Sequence, residues 1–265
     1  MDIVIESQKI CLLEEPDPFS EAVKALLHQP VVAIDTESDS LYVYFEKVCL
    51  IQMSDGERNF IVDPLVLGDI SDLGTLFKTE SVQKVFHAAE YDIMCMKRDY
   101  GFEFSNVFDT MIAARILGRK EIGLGALIEQ EFGVRLEKKF QKANWGIRPL
   151  SEAMLLYASL DTSYLIELRN RLETELIERN FIELAREDFD QVCKSAPAQA
   201  EPVEVHWWKA AGNNRDLTFQ QAAALQNLCR LREQIARKSD LPPFKIAQNE
   251  VLLALAIQQP KKISE

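Results

Sequence analysis

The sequence predicts a layered α/β domain followed by a smaller, purely helical segment. Three strand-like segments come first, within residues 31–63, and polar turns separate them. From about residue 71 to residue 132, short apolar strands alternate with helical patterns, which is typical of parallel strands covered by helices. Beyond residue 206 the pattern is helical only. We therefore expect one mixed sheet in the first part of the chain and helices alone in the last.

The strands and hairpins are predicted from apolar runs and turn residues. A short strand covers Ile3–Ile5, and a helix begins near Ser20, whose hydroxyl can cap it. The run 31–37 is apolar and β-branched before it turns acidic, as in a strand buried on both faces. Residues 47–53 and 59–63 form two further strands joined by a hairpin loop.

The alternating region and the tail define the rest of the chain. The predicted elements are a helix at 71–78, a strand at 82–86, a helix at 89–98, a strand ending at 109, and helices at 111–117 and 124–132. Residues 133–150 form a long ordered loop, and a helical segment capped by Ser151 runs to about Phe189.

The proline- and alanine-containing stretch 190–205 is the predicted linker. We therefore expect a domain at 1–189, that linker, and a helical module at 206–265 in which Pro242-Pro243 separates two helices.

The composition indicates a soluble cytoplasmic protein and limits its partners. The chain has 265 residues, no apolar run long enough for a transmembrane helix and no basic-then-apolar leader at its N-terminus. Its five cysteines are scattered, as in a reducing compartment, and fit neither a disulfide framework nor a zinc site. The net charge of −12 argues against indiscriminate polyanion binding, but the chain from Arg215 onward carries eight basic and five acidic residues. That tail is the better candidate for contact with nucleic acid.

A pair of acids at the end of the 31–37 strand is the first candidate site. Side chains two apart on a strand share a face, so Asp35 and Glu37 point the same way and Thr36 points opposite. Two carboxylates at the end of a buried strand cost free energy unless a cation binds them, and a hard divalent metal is the natural candidate. The alternative is a strand that has run into solvent, with both acids hydrated.

Two further segments add acids and a tyrosine. Asp92 lies in the first turns of a helix just after the Val85-Phe86 strand, where α/β folds place sites, although an acid there also complements the helix dipole. Tyr157 and Asp161 are four apart and share one helix face among leucines. An acid on such a face is less easily explained as an ordinary surface residue. The alternative is that Asp161 lies on a solvent-exposed strip of the helix.

Taken in order, these segments resemble a known family. Ile34-Asp35-Thr36-Glu37, Lys84 through Asp92, and Tyr157-Ala158-Ser159-Leu160-Asp161 resemble the three motifs of the DEDD-type 3′–5′ exonucleases with a tyrosine, and specifically those of ribonuclease D. The loop from Lys138 to Ser151 looks like the same family's signature loop. The resemblance covers roughly residues 25–180. It implies an RNase H-like fold with a mixed five-stranded sheet flanked by helices.

The resemblance also implies a mechanism and its ligands. Hydrolysis of RNA from the 3′ end to 5′-nucleoside monophosphates would use two divalent ions, Mg²⁺ or Mn²⁺. Asp35 would bridge both ions, Glu37 and Asp161 would complete one, Asp92 would hold the other, and Tyr157 would orient the attacking water. The implied substrates are single-stranded RNA 3′ tails, such as those of tRNA precursors.

Contacts to RNA are predicted in the long loop and, by resemblance, in the tail. Lys138, Lys139 and Arg148 are placed to meet phosphates, and Trp145 to stack on a base or to pack. The alternative for the lysines is a solvated loop. His206-Trp207-Trp208-Lys209 and Leu231 through Pro243 look like the start of an HRDC domain. Because the chain stops shortly after Lys262, we expect at most one such module, complete or not.

Two other functions remain open from the sequence. A DNA 3′–5′ exonuclease of the same superfamily would use the same acids, and comparison of matched RNA and DNA strands would separate the two. A non-catalytic nucleic-acid-binding module would keep the fold, although every catalytic position is present. Asp109 is predicted to be structural, as the cap of the helix that begins near Thr110.

Overall fold

The structure is a computed structural model, and it describes residues 2–5, 8–198, 206–212, 216–260 and 262. The chain divides into two compact units. The first contains residues 1–38 and 47–198, and the second contains residues 39–46 and 199–265. No helix in the described ranges is both long and apolar enough to cross a membrane.

The first unit is built on a sheet of seven described strands. They are β1 (Asp2–Ile5), β2 (Gln8–Leu13), β3 (Val31–Ser38), β4 (Val48–Ser54), β5 (Arg58–Val62), β6 (Gln83–Phe86) and β7 (Val107–Asp109). Their order across the sheet is β1-β2-β5-β4-β3-β6-β7. β3, β4 and β5 form the antiparallel meander expected from the sequence, whereas β6 and β7 run parallel to β3.

The predicted mixed, helix-flanked sheet is confirmed, and it is wider than expected. The five strands from β5 to β7 are the predicted five-stranded set, and the short strand predicted at Ile3–Ile5 is present as β1. β2 was not predicted from the sequence; it pairs in parallel with β5, and β1 pairs with β2 at the edge.

The helices of this unit are α1 (Pro16–Leu26), α2 (Pro64–Leu67), α3 (Asp72–Lys78), α4 (Ala89–Tyr100), α5 (Thr110–Ile116), α6 (Leu124–Phe132), α7 (Glu152–Ser163), α8 (Leu165–Glu178) and α9 (Ile182–Cys193).

Helix starts and ends differ from the predictions at three places. α1 begins at Pro16, where proline suits a first helical turn, and not near Ser20. The predicted single helical segment from 151 to 189 is three helices, α7, α8 and α9. α9 continues to Cys193, so the first residues of the predicted linker are helical, and residues 199–205 lie outside the described part of the chain.

β3 separates two layers of core. Val32 and Ile34 pack with α1, α3 and α4 on one face, while Ala33 packs with α8 on the other. β4 is buried along its whole length, and α7 covers the β4–β5 side of the face to which Ala33 points. Because side chains alternate along a strand, β3 delivers consecutive residues to opposite layers.

The second unit is helical, as predicted. Its described helices are α10 (Trp207–Ala211), α11 (Phe219–Ser239), α12 (Pro243–Ile246) and α13 (Asn249–Gln258). Thr218 and Gln221 form a capping box at the start of α11, and Leu225, Cys229 and Leu252 lie in its core.

Residues 39–46 belong to this second unit although they follow β3 directly in the chain. The carboxylate of Asp240 accepts hydrogen bonds from the backbone N–H groups of Tyr44 (3.0 Å) and Phe45 (3.1 Å). The ammonium of Lys245 lies 4.3 Å from the centre of the Tyr42 ring, a cation–π distance. The helices thus fix the conformation of this segment.

Candidate active site

Three of the predicted acids meet at one point of the first unit. Asp35 and Glu37 lie on β3 and Asp161 lies on α7. One carboxylate oxygen from each lies within 4.8 Å of the others. Asp35 and Glu37 share a face of β3, as the period of two requires, and α7 packs against that face. The alternation argument from the sequence is therefore confirmed for this pair.

Tyr157 completes the helical side of the site. It precedes Asp161 by one helical turn, so both project from the same face of α7. Its ring lies 5.8 Å from that of Phe140 and 6.2 Å from that of Trp145, measured between centroids. These two aromatic neighbours, both from the long loop, fix the direction in which the Tyr157 hydroxyl points.

Asp92 approaches from the other layer. It lies in the first turn of α4, and its carboxylate accepts a short hydrogen bond from the hydroxyl of Thr36. Thr36 points to the opposite face from its neighbours Asp35 and Glu37. β3 therefore carries two of the acids on one face and contacts Asp92 on the other. Asp92 is not among the three carboxylates that meet within 4.8 Å, but the charge of Asp35 raises the pKa of Asp92 and the charge of Asp92 raises the pKa of Glu37.

The start of α4 is held in place by a buried carboxylate. Asp109 accepts hydrogen bonds from the N–H groups of Ala88 (3.1 Å) and Ala89 (2.8 Å), and Ala88 has a left-handed backbone with φ 61°. The same carboxylate caps α5 through the N–H groups of Met111 and Ile112. The predicted structural role of Asp109 is confirmed, and it extends to the helix that carries Asp92.

The acidic cluster is electrostatically strained without a cation. Burial raises the pKa of Asp35 to about 6, and burial followed by the charge of Asp35 raises the pKa of Asp161 to about 8. Burial and then the charges of Asp35, Asp161 and Asp92 raise the pKa of Glu37 to about 10. Burial, followed by the Asp35 charge, also holds the pKa of Asp92 well above its usual range. Acids that repel one another in this way are relieved by a bound cation.

The donor set fits a hard divalent ion. Asp35, Glu37 and Asp161 offer only oxygen atoms, and no cysteine or histidine belongs to this group among the described residues. Mg²⁺ and Mn²⁺ prefer such ligands. The three carboxylate oxygens lie close enough together for one ion to be held by all three side chains.

The acids open into a cavity of about 450 Å³. Besides Asp35, Glu37, Tyr157 and Asp161, its lining includes His87, Lys138 and the start of α6. This helix start was not predicted to be part of the site, although Gly123 and Gly125 flank Leu124 there. A Cβ on either glycine would meet nothing within 4 Å, so the first turn of α6 leaves open space at the cavity.

The four predicted substrate contacts divide into two pairs. Lys138 lines the cavity, and Lys139 is exposed beside it, with its ammonium 5.2 Å from the centre of the Phe140 ring. Trp145 is only 1% exposed, so the structure places it in the core and not in a position to stack on a base.

The Arg148 guanidinium is engaged within the protein. It pairs with the Asp63 carboxylate and donates to the carbonyl groups of Cys49 (2.8 Å) and Trp145 (2.7 Å). It is therefore a structural group and not a free phosphate contact, which corrects the expectation from the sequence.

The fold and the acidic site together define a 3′–5′ exonuclease. The 3′–5′ exonuclease family matches residues 12–177, which include every acid described above and Tyr157, and the HRDC domain family matches residues 221–265. The chain therefore belongs to the 3′–5′ exonuclease family, of the ribonuclease D and Rrp6 type, with an HRDC domain after the exonuclease domain.

The relatives of the chain agree with this assignment. It is 30% identical to the exosome complex exonuclease RRP6 of Saccharomyces cerevisiae over 88% of its own length, but it spans only 34% of that protein. Among solved structures, the catalytic core of RRP6 from Trypanosoma brucei is similar over 98% of this chain and 73% of that one, with a TM-score of 0.89 and 25% identity. Escherichia coli RNase D, described as an exoribonuclease involved in structured RNA processing, is similar over 96% of this chain and 67% of that one, with a TM-score of 0.72 and 27% identity.

Proposed function

We propose that the protein is a divalent-metal-dependent 3′–5′ exoribonuclease that releases 5′-nucleoside monophosphates. The observation that carries this proposal is the meeting of Asp35, Glu37 and Asp161 within 4.8 Å, in one cavity with Tyr157. Asp92 is held next to these acids by the hydroxyl of Thr36. The similarity to RRP6 and RNase D supports RNA as the substrate.

The metal ligands in this proposal are the four acids. Asp35 would contribute to both of two ions, Glu37 and Asp161 would help to hold one of them, and Asp92 would help to hold the other. Two such ions would supply an activated water and charge stabilisation of the leaving 3′ oxygen. The chain's own part is to hold the carboxylates at this spacing, with β3 presenting residues to both layers of the fold.

Tyr157 positions the attacking water and does not act as the base. Burial, followed by the charges of Asp161, Glu37 and Asp35, raises the pKa of its hydroxyl above the usual range, so the hydroxyl stays protonated at neutral pH. A protonated phenol can both donate and accept a hydrogen bond, which suits it to orient a water molecule. Phe140 and Trp145 keep its ring in place.

The proposed substrate is a single-stranded RNA 3′ end, such as the tail of a tRNA precursor. The cavity of about 450 Å³ accommodates little more than a terminal nucleotide, and Lys138 at its margin is placed to neutralise a phosphate. We also propose a cytoplasmic location, which is supported by the five free cysteines expected of a reducing compartment.

A 5′-labelled RNA with a single-stranded 3′ tail tests the proposal. We expect a ladder of products that shortens from the 3′ end with Mg²⁺ or Mn²⁺, and no ladder with EDTA. For Asp35→Asn we expect a rate slower by about a hundredfold or more, because losing one preorganised charge-stabilising group has an effect of this size. Glu183→Gln is the matched control, because its exposed carboxylate lies on α9 and pairs with Arg186 at 2.6 Å.

Three results would contradict the proposal in different ways. Full activity of Asp35→Asn would remove the shared ligand from the mechanism. Faster cleavage of the matched DNA strand would make the protein a DNA exonuclease. Binding of RNA without any metal-dependent product would make it a binding module.

A further inference from the structure

Gln52 is a buried polar side chain that the described structure leaves entirely unsatisfied. It lies on β4, every residue of which is buried, and its own exposure is 0%. Neither the amide nitrogen nor the amide oxygen has a hydrogen-bond partner. Within the described part of the chain, it is the one side chain with two such buried atoms. A side-chain amide has two N–H donors and an acceptor oxygen, so Gln52 leaves several possible hydrogen bonds unmade.

Other buried polar groups of the same sheet are satisfied. Asp63 pairs with Arg148 and accepts from two backbone N–H groups. The ammonium of Lys84 donates to the carbonyl groups of Thr79 (2.7 Å) and Val82 (2.8 Å). Asp109 caps two helices. Because buried polar groups are generally hydrogen-bonded, the Gln52 amide is an exception that points to a partner.

The position of Gln52 identifies that partner. In the antiparallel pairing of β3 with β4, Gln52 stands directly opposite Asp35, and on its other side it stands opposite Ile61 of β5. Residues directly opposite one another project to the same face, with Cβ atoms about 4.5–5.5 Å apart. Gln52 therefore lies beside Asp35 on the face that α7 covers, within reach of its carboxylate.

We propose that Gln52 is a positioning residue for Asp35: its side-chain N–H donates to the Asp35 carboxylate when that carboxylate holds a divalent ion. This inference rests on the proposed function, because Asp35 is the ligand shared by both ions. The hydrogen bond fixes the orientation of the carboxylate, and such partners of metal ligands typically contribute about 10- to 100-fold to metal affinity.

The test is Mn²⁺ binding to the full chain, measured by electron paramagnetic resonance without RNA. Gln52→Met keeps the volume of the side chain and removes the amide, and we expect at least about tenfold weaker Mn²⁺ binding. The melting temperature should stay equal or rise, because an unsatisfied amide leaves the core. Met53→Leu is the matched control, since Met53 is the next residue of β4 and packs in the opposite layer. Gln52→Leu serves as a second variant.

A double-variant cycle separates positioning from general stability. In the Asp35→Asn background the hydrogen-bonded carboxylate is absent, so Gln52→Met should change Mn²⁺ affinity no further. Unchanged Mn²⁺ affinity in Gln52→Met, or an equal loss in both backgrounds, would overturn this inference alone. A wild-type protein that binds no Mn²⁺ would overturn the proposed function and this inference with it.

Discussion

The guanidinium of Arg148 closes over the carboxylate of Asp63, which has no exposure to solvent. Both ends of the guanidinium take part, with Nη2 at 2.7 Å from Oδ1 and Nε bonded to Oδ2. Through this pair the long loop between α6 and α7 is attached to the end of β5. Arg148, which the sequence predicted to contact RNA, instead holds this loop against β5.

Arg148→Ala is expected to destabilise the first unit by about 3 kcal/mol, because it leaves the buried Asp63 charge without a partner. Chemical denaturation of the wild type and the variant measures this difference. The double variant Arg148→Met with Asp63→Asn should recover much of the loss, since it removes both charges together and the asparagine oxygen can still accept from the N–H groups at the start of α2. A loss below about 1 kcal/mol, the range of exposed ion pairs, would contradict the role of Arg148 as an anchor.

The acidic cluster gives the metal-free protein an unusual dependence on pH. The pKa of Glu37 is raised to about 10 in the folded chain from an ordinary value of 4.5. The unfolded chain therefore releases this proton first, and folding stability falls as the pH rises from about 4.5 toward about 10. Below pH 4.5 the carboxyl is protonated in both states and the effect vanishes.

Glu37→Gln should accordingly melt at a higher temperature than the wild type at pH 8 in EDTA, and at the same temperature at pH 4. Thermal melts across this range measure the difference, with Glu183→Gln as the control for loss of an exposed carboxylate. Saturating Mg²⁺ should raise the melting temperature of the wild type more than that of the variant, because the ion binds the folded state through Glu37. A constant gap between the two melting curves at all pH values would refute this electrostatic account.

Lys138 is expected to contact RNA through a phosphate. Lys138→Ala should raise the KM for RNA with little change in kcat, and it should reduce the slope of log affinity against log salt by about one. Lys139→Ala should have the smaller effect, because Lys139 stands outside the cavity lining. Lys78→Ala is the control, because this substitution removes the same charge at a different place. The exposed ammonium of Lys78 pairs with Glu103. Identical salt slopes for all three variants would exclude a phosphate contact at Lys138.

Asp240 is expected to order residues 39–46. Asp240→Gly removes the acceptor for the N–H groups of Tyr44 and Phe45 while permitting the left-handed backbone found there, with φ 47°. Hydrogen exchange at these two amides should then accelerate. Asp240→Asn keeps an acceptor oxygen and tolerates the same backbone, so it should retain protection. Equal exchange in both variants would show that other contacts hold the segment.

The acidic site was predictable because its signals are local. The period of two places Asp35 and Glu37 on one face of a strand, and the spacing of four aligns Tyr157 with Asp161 on a helix. Neither rule shows that the two faces meet. That step came from the family resemblance, and the packing of α7 against β3 provides it physically.

Other features depend on long-range packing, which the sequence does not display. β2 is recognisable only through its pairing with β5, more than forty residues later in the chain. The breaks between α7, α8 and α9 contain neither glycine nor proline; Asn180, with φ 59°, lies in the second of them. Trp145 looks like an RNA contact in a polar loop, yet the chain folds it into the core.

Gln52 shows a signal that was present and overlooked. It is a single amide in an otherwise apolar run from Val48 to Met53, and a lone polar residue in a fully buried strand calls for a partner. Only the register of β3 and β4 identifies that partner as Asp35.

The pairing of β2 with β5 gives residues 8–13 a protective role. β5 would otherwise be an edge strand, with the backbone N–H and C=O groups of Arg58–Val62 facing outward from β4 and unpaired. Open strand edges of this kind recruit strands from other molecules. A protein shortened to begin after Leu13 would keep every residue of the acidic site and yet associate edge to edge through β5. β2 thus covers the outward edge of β5, and the open edge on this side of the sheet is left to the four-residue strand β1.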